Sequence, residues 1–163
     1  MNGGLPSVIE AAFPNIIPVP RPDVLDYKIK NPNWLAGFIS AEECFFINIR
    51  SKPKMKIGYL IELTFKITQH YRDEQLMRSL IEYFGCGNIY KNRDTVEFKI
   101  TKFEDLTEKI IPFLVKYPIQ GAKFVDYLDF VKVIKLMKNK AHLTEEGLYQ
   151  IRKIKAGMNR GRK

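Results

Sequence analysis

Two adjacent carboxylates, Glu42 and Glu43, interrupt the stretch WLAGFISAEECFFINIR at residues 34–50. The residues before them read as a short apolar helix with small side chains at Ala36, Gly37, Ser40 and Ala41, and those after them alternate as a strand. Ordinary packing gives no reason to set two acids between an apolar helix and a strand. Their use has to come from what surrounds them. The outward positions of the predicted strands carry Asn48, Arg50, Thr64, Lys66, Thr68, Tyr90, Arg93, Glu97 and Lys99. The loop SKPKMKIG adds Lys52 and Lys54 at a strand end. Lysine and arginine neutralise phosphates, while Asn, Thr, Glu and Lys side chains can hydrogen-bond base edges in a major groove. A face that mixes both kinds meets the needs of sequence-selective DNA reading. A simply solvated face is the alternative, since antiparallel sheets commonly keep one side wet.

The elements that must hold these side chains follow in order. Asn33 can cap a helix from Trp34 to about Glu42. Cys44 to Arg50 alternates as a strand with Phe45, Ile47 and Ile49 inward, and Tyr59 to Gln69 as a second with Ile61, Leu63, Phe65 and Ile67 inward. Leu76, Leu80, Ile81 and Phe84 give an amphipathic helix over 73–84 that Gly85 ends. A hairpin turning at Asn92–Asp94 follows, then helices over 102–114 and 121–137, then a helix capped by Thr144 with Glu145 and Glu146 in its first turn. The order α-β-β-α-β-β-α-α-α is that of an α+β domain with an antiparallel sheet. Residues 34–163 form this single domain. Residues 1–33 are broken by Pro6, Pro14, Pro18, Pro20, Pro22 and Pro32 and read as a linker or attachment segment, with a short helix possible only over Ser7 to Phe13. The opening Met-Asn-Gly-Gly has the look of a truncated or engineered start.

The bulk numbers agree. A chain of 163 residues with 45% hydrophobic and 12% aromatic content supports one well-cored domain. No apolar run approaches the roughly 20 residues a membrane-spanning helix needs, and no signal peptide opens the chain. Cys44 and Cys86 make neither a disulfide framework nor a metal cluster, which points to a reduced, intracellular setting. His70 and His142 lack metal-box partners and read as structural. The net charge of +9, with pI about 9.5, points to a polyanion, either nucleic acid or an anionic membrane surface. The tail RKIKAGMNRGRK can either add phosphate contacts or end as a frayed, solvated terminus.

WLAGFISAEECFF resembles the LAGLIDADG motif of homing endonucleases, and LTFKITQ, LIEYFGCGNIY, FKITKFEDL and KYPIQGAKF fall where that family has its second strand, second helix, hairpin and third helix. The resemblance runs from Trp34 to about Lys163, and AFPNIIPVPRP looks like the linker into a second repeat, as in the C-terminal half of two-motif fungal mitochondrial enzymes. It implies the family's α-β-β-α-β-β-α fold with a saddle-shaped sheet, here with extra C-terminal helices. It also implies sequence-specific binding of double-stranded DNA, metal-dependent phosphodiester cleavage, an intron origin and a mitochondrial location, with no membrane association. Two motif helices pack together in such enzymes. Trp34, Ala36, Gly37, Ser40 and Ala41 are then the interface to a second copy or a separate half, because this chain has one motif only.

By the same resemblance Glu42 is the acid that binds Mg²⁺, for which Ca²⁺ can substitute without cleavage. The Ala41 carbonyl is an extra ligand, Gln69 organises solvent, and Lys123 assists hydrolysis with Lys116 as runner-up. The family has glycine after the catalytic acid, often as Gly-acid-Gly, where this chain has Ala41 and Glu43. Glu43 is therefore expected to lie as a repelling anion beside the phosphates, so that glycine there would improve binding or cleavage. A rival reading is a DNA-binding or maturase-like module that dimerises without cutting.

Overall fold

The structure is a computed structural model and describes residues 7–16 and 27–159. The expectations for Pro6, Pro18, Pro20, Pro22 and the tail beyond Asn159 lie outside the described residues. Helix α1, Ser7–Ala12, buries none of its side chains. It is followed by α2, Pro32–Glu42, then strands β1, Glu43–Ser51, and β2, Tyr59–His70. A 3₁₀ turn at Tyr71–Asp73 leads into α3, Glu74–Phe84, and the hairpin of β3, Asn88–Asn92, and β4, Thr95–Ile100. Phe103–Asp105, Leu106–Ile110 and Ile111–Lys116 run on as one helical stretch, and helices Lys123–Lys138 and Glu145–Ala156 complete the described chain. The α+β order read from the sequence is the observed one.

The strands form one antiparallel sheet in the order β1-β2-β4-β3. Its inner face is built by period-two alternation: Phe45 and Ile47 on β1, Ile61, Leu63, Phe65 and Ile67 on β2, and Val96, Phe98 and Ile100 on β4, all buried. The helices cover that face. Phe130 of the Lys123–Lys138 helix meets Phe45 with ring centroids 4.9 Å apart, Phe45 meets Phe65 at 5.6 Å, and Phe84 of α3 reaches Phe98 at 6.3 Å. Offset, tilted aromatic contacts of this kind add to what area burial already contributes.

Local chemistry sets the ends. Asn31, not Asn33, caps α2: its Oδ1 accepts from the backbone N–H of Asn33 at 2.9 Å and of Trp34 at 3.3 Å. Pro32 explains the shift, because proline is pre-set for the first helical turn and needs no donor partner there. Gly85 closes α3 in the left-handed region at φ 62°, as the sequence predicts. The helix expected over 102–114 carries a π turn at Leu106–Ile110. Pro112, two residues further on, supplies no N–H and crowds the carbonyl four residues before it, so the ladder widens there. Thr144 caps the last helix, its Oγ1 accepting from the Gly147 N–H at 3.1 Å.

Candidate functional site

The helix-to-strand junction separates the two acids. Glu42 is the last residue of α2 and Glu43 the first of β1, with no loop residue between them. Glu43 already has extended geometry, ψ 159°, while its N–H still donates to the Ile39 carbonyl. Helical and strand geometry aim successive side chains differently. Glu42 is exposed at the helix end, whereas Glu43 pairs in register with Ile67 on the core side of the sheet and is 3% exposed. The expectation of Glu43 as an anion beside the DNA face is therefore corrected: strand parity turns it inward with Phe45 and Ile47.

Lys123 comes to the same place from 80 residues away. Its Nζ donates to the Ala41 carbonyl at 3.0 Å and the Glu43 carbonyl at 2.6 Å, and lies 3.7 Å from Glu43 Oε2. A cation on the last carbonyls of a helix satisfies orphan acceptors and complements the helix dipole. Glu43 Oε1 is buried without a hydrogen-bond partner. Burial pushes the Glu43 carboxyl up from 4.5 to about 7; Lys123 pulls against this and Asp126 adds to it. Burial, and then the neighbouring Glu43, also push the Cys44 thiol up, so this cysteine is a poor nucleophile.

Asn159 closes the edge of β1. Its amide donates to the Phe45 carbonyl at 3.1 Å, its Oδ1 accepts from the Cys44 thiol at 3.3 Å, and its backbone N–H donates to Asp126 Oδ1 at 3.1 Å. Met158 is buried beside it. The described part of the C-terminal tail is thus packed rather than frayed. An open groove of about 930 Å³ runs past these residues from Glu43 and Lys123 to Asn48 on the outer sheet face.

The remaining expected site residues divide. Asn48, Arg50, Lys66, Thr68, Tyr90, Glu97 and Lys99 lie on the outer face by register, and Lys52, Lys54 and Arg93 are exposed on the connecting turns. Within the sheet, Lys66 pairs with Glu97 at 2.7 Å and Arg50 with Glu62 at 3.1 Å. Lys66 also lies over the Phe46 ring and Lys99 over the Tyr90 ring. Thr64 faces outward but is only 2% exposed, because its cross-strand neighbour Phe46 and the Asn48 amide, donating to its hydroxyl at 3.3 Å, cover it. Gln69 pairs with Val96 on the core side, two residues along β2 from the partner of Glu43. Lys116 sits over the Tyr117 ring. Ala36 is buried in its own domain, whereas Trp34, Gly37 and Ala41 are exposed. Ser40 donates to the Ala36 carbonyl at 2.7 Å and accepts from the Gln120 N–H at 3.3 Å.

Among the described residues no cluster of three or more His, Cys, Asp or Glu could hold a metal. The donors at this end are the exposed Glu42 carboxylate and backbone carbonyls at the negative end of a helix dipole, of which the Ala41 carbonyl, the expected extra ligand, already accepts from Lys123. That set fits Mg²⁺, which takes one or two carboxylates and completes its shell with phosphate oxygens and water. No helix among the described residues is long and apolar enough to cross a membrane.

Sequence reasoning missed the inward turn of Glu43 and the Asn159 latch. Carrying the β1 alternation back one residue would have found the first; nothing local marks the second.

Comparison with known proteins finds relatives of both the sequence and the fold. The family model described as LAGLIDADG endonuclease matches residues 35–134. The chain is 41% identical over 154 residues to the probable intron-encoded endonuclease 3 of Neurospora crassa, covering 93% of this chain and 29% of that protein. It is 40% identical to the probable intron-encoded endonuclease 2 of the same fungus, covering 95% and 35%. Among solved structures, I-SmaMI bound to cleaved DNA matches with a TM-score of 0.90 and 45% identity over 100% of this chain and 55% of that one. I-SmaMI has also been solved on an uncleaved DNA target with calcium ions, a match of TM-score 0.88 and 45% identity over 97% of this chain and 54% of that one. The chain thus spans 29–35% of these curated relatives and little over half of the solved chains.

Proposed function

The chain belongs to the LAGLIDADG endonuclease family, and from that premise we propose that it is one half of a homing endonuclease: it reads double-stranded DNA with its outer sheet face and contributes one carboxylate to a metal-dependent cut. The observation that carries this reading is the exposed Glu42 at the end of α2, beside Lys123 and at the head of a face rich in cations and amides. Arg50, Lys52, Lys54, Arg93 and Lys99 suit phosphate contacts, while Asn48, Thr68, Lys66 and Glu97 can reach base edges. Mg²⁺, when bound, supplies Lewis-acid activation of water and of the scissile phosphate. Glu42 holds the charge that attracts the metal, and Lys123 holds a proton close to the reacting phosphate. The second half, a further copy or the remainder of a longer protein, would bring the other carboxylate against α2. The resemblance to fungal intron-encoded endonucleases supports a mitochondrial setting.

The test is nicking of a plasmid carrying a library-selected target, in Mg²⁺ and in chelator, beside binding in Ca²⁺. Glu42→Gln keeps size and hydrogen bonding but removes the charge. It should cut cleavage by at least about 100-fold, on the scale of losing a key electrostatic contact to the transition state, at unchanged or tighter binding. Undiminished cleavage by Glu42→Gln would remove Glu42 from the site. The second reading is a module that binds without cutting; binding that survives chelation with no cleavage in Mg²⁺ would establish it.

A further inference from the structure

We propose that Glu43 is a positioning residue for Lys123: its side chain, set under the start of β1, keeps the ammonium docked at the end of α2 beside Glu42. This rests on the reading of Glu42 and Lys123 as parts of one site.

The geometry is specific. Lys123 sits at the first position of its helix, and of its five-atom reach only the tip is needed to touch α2. Two carbonyls, those of Ala41 and Glu43, take hydrogen bonds from that tip. Glu43 Oε2 lies 3.7 Å from it, too long for a good hydrogen bond but within ion-pair range. The side chain of Lys123 remains 37% exposed while that of Glu43 is 2% exposed. The anion is thus the fixed member of the pair and the lysine the member that reaches solvent. That is the arrangement of a tether rather than of a structural core pair.

Energetics point the same way. A buried carboxylate with one oxygen lacking any hydrogen bond is costly, and a pair with so exposed a partner returns little. Glycine at the same position would bury no charge. Departures from local stability rules concentrate where a site needs them. Lysine has a flexible four-carbon stem, so without the anion it would leave two carbonyls for bulk solvent and sample many rotamers.

The experiment measures Lys123 directly. Wild type, Glu43→Gln and Glu43→Gly are treated with formaldehyde and cyanoborohydride, and methylation of each lysine is followed by peptide mass spectrometry, with exposed Lys52 and Lys116 as internal standards. Both Glu43 variants should raise the Lys123 rate at least about threefold relative to the standards. In parallel, cleavage of the selected target should fall at least about tenfold in kcat with binding in Ca²⁺ unchanged, and Lys123→Met should show the same kcat loss, with no further loss in the Glu43→Gln double variant. Melting temperatures control for folding, and Gln, close in size to Glu, is the variant that keeps the fold if glycine does not. An unchanged Lys123 rate in folded Glu43→Gln overturns the proposal, and so does a Glu43→Gly protein that cuts faster than wild type. If wild type cuts nothing, the reading of the site as a nuclease fails while the methylation ratio still decides the tether.

Discussion

At the scale of single residues, Glu42 and Glu43 are chemically identical and neighbours in sequence, yet one is exposed and the other is 3% exposed. Burial lifts the Glu43 carboxyl from 4.5 to about 7, so the folded protein holds its proton more tightly than the unfolded chain does. The native state then binds more protons between those values, and stability falls as pH rises through the window. Its contribution is fully present below about pH 4.5, and stability reaches a lower plateau above about pH 7. Glu43→Gln removes this titration. Its stability relative to wild type should rise with pH across the window, by up to about 3 kcal/mol if the whole shift is realised. Urea midpoints of the two proteins at pH 4.5, 6 and 8 check this, and parallel pH profiles would contradict it. Glu42 was legible as the helix-end acid because its position follows from a local motif. The inward turn of Glu43 depends on where helix becomes strand, a boundary that sequence patterns mark only to within a few residues.

At the scale of elements, α2 presents two different sides. Leu35, Ala36 and Ile39 are buried in the domain, while Trp34, Gly37 and Ala41 face out and the Trp34 and Phe38 rings stack at 5.4 Å. A side chain added at Gly37 would meet nothing within 4 Å. Gly37→Leu should therefore leave the isolated domain as stable as wild type or about 0.5–1 kcal/mol more stable, since leucine is the better helix former. It should abolish pairing with a second half, read by analytical ultracentrifugation across micromolar concentrations. Ala36→Leu makes the contrast: it overfills the domain's own core and should cost about 1–3 kcal/mol in chemical denaturation. A folded, still-dimeric Gly37→Leu would remove this face as the interface. The small-residue stripe was visible in sequence, but it did not separate Ala36 from Gly37. Helical phase relative to the sheet makes that division.

At the scale of the whole molecule the net charge is +9, and the proposed DNA face carries several of the cations. Lys66 and Arg50 already pair with Glu97 and Glu62 there. They should add less to phosphate neutralisation than the exposed Lys52, Lys54 and Arg93 on the turns. Binding should weaken steeply with salt, and Lys52→Ala or Lys54→Ala should each flatten the log–log slope by about 0.9, uniformly over target sequences. Lys66→Ala should instead change sequence preference, since it frees Glu97 toward base edges. Fluorescence anisotropy between 50 and 300 mM salt measures both (about 14 Å to 6 Å of Debye screening). A slope that neither Lys52→Ala nor Lys54→Ala alters would move the DNA surface elsewhere.

The sequence by itself determined the element order, the inner and outer faces of the strands, and the family. Each of these is carried by local periodicity and by a contiguous motif. Only the tertiary structure decided that Lys123 reaches the end of α2, that Asn159 latches β1 across more than a hundred residues, and that Thr64 is covered while Lys52 is open. Contacts between distant segments depend on how helices settle against the sheet. The free energy that fixes them comes from burying shared apolar surface, which no stretch of sequence can do alone.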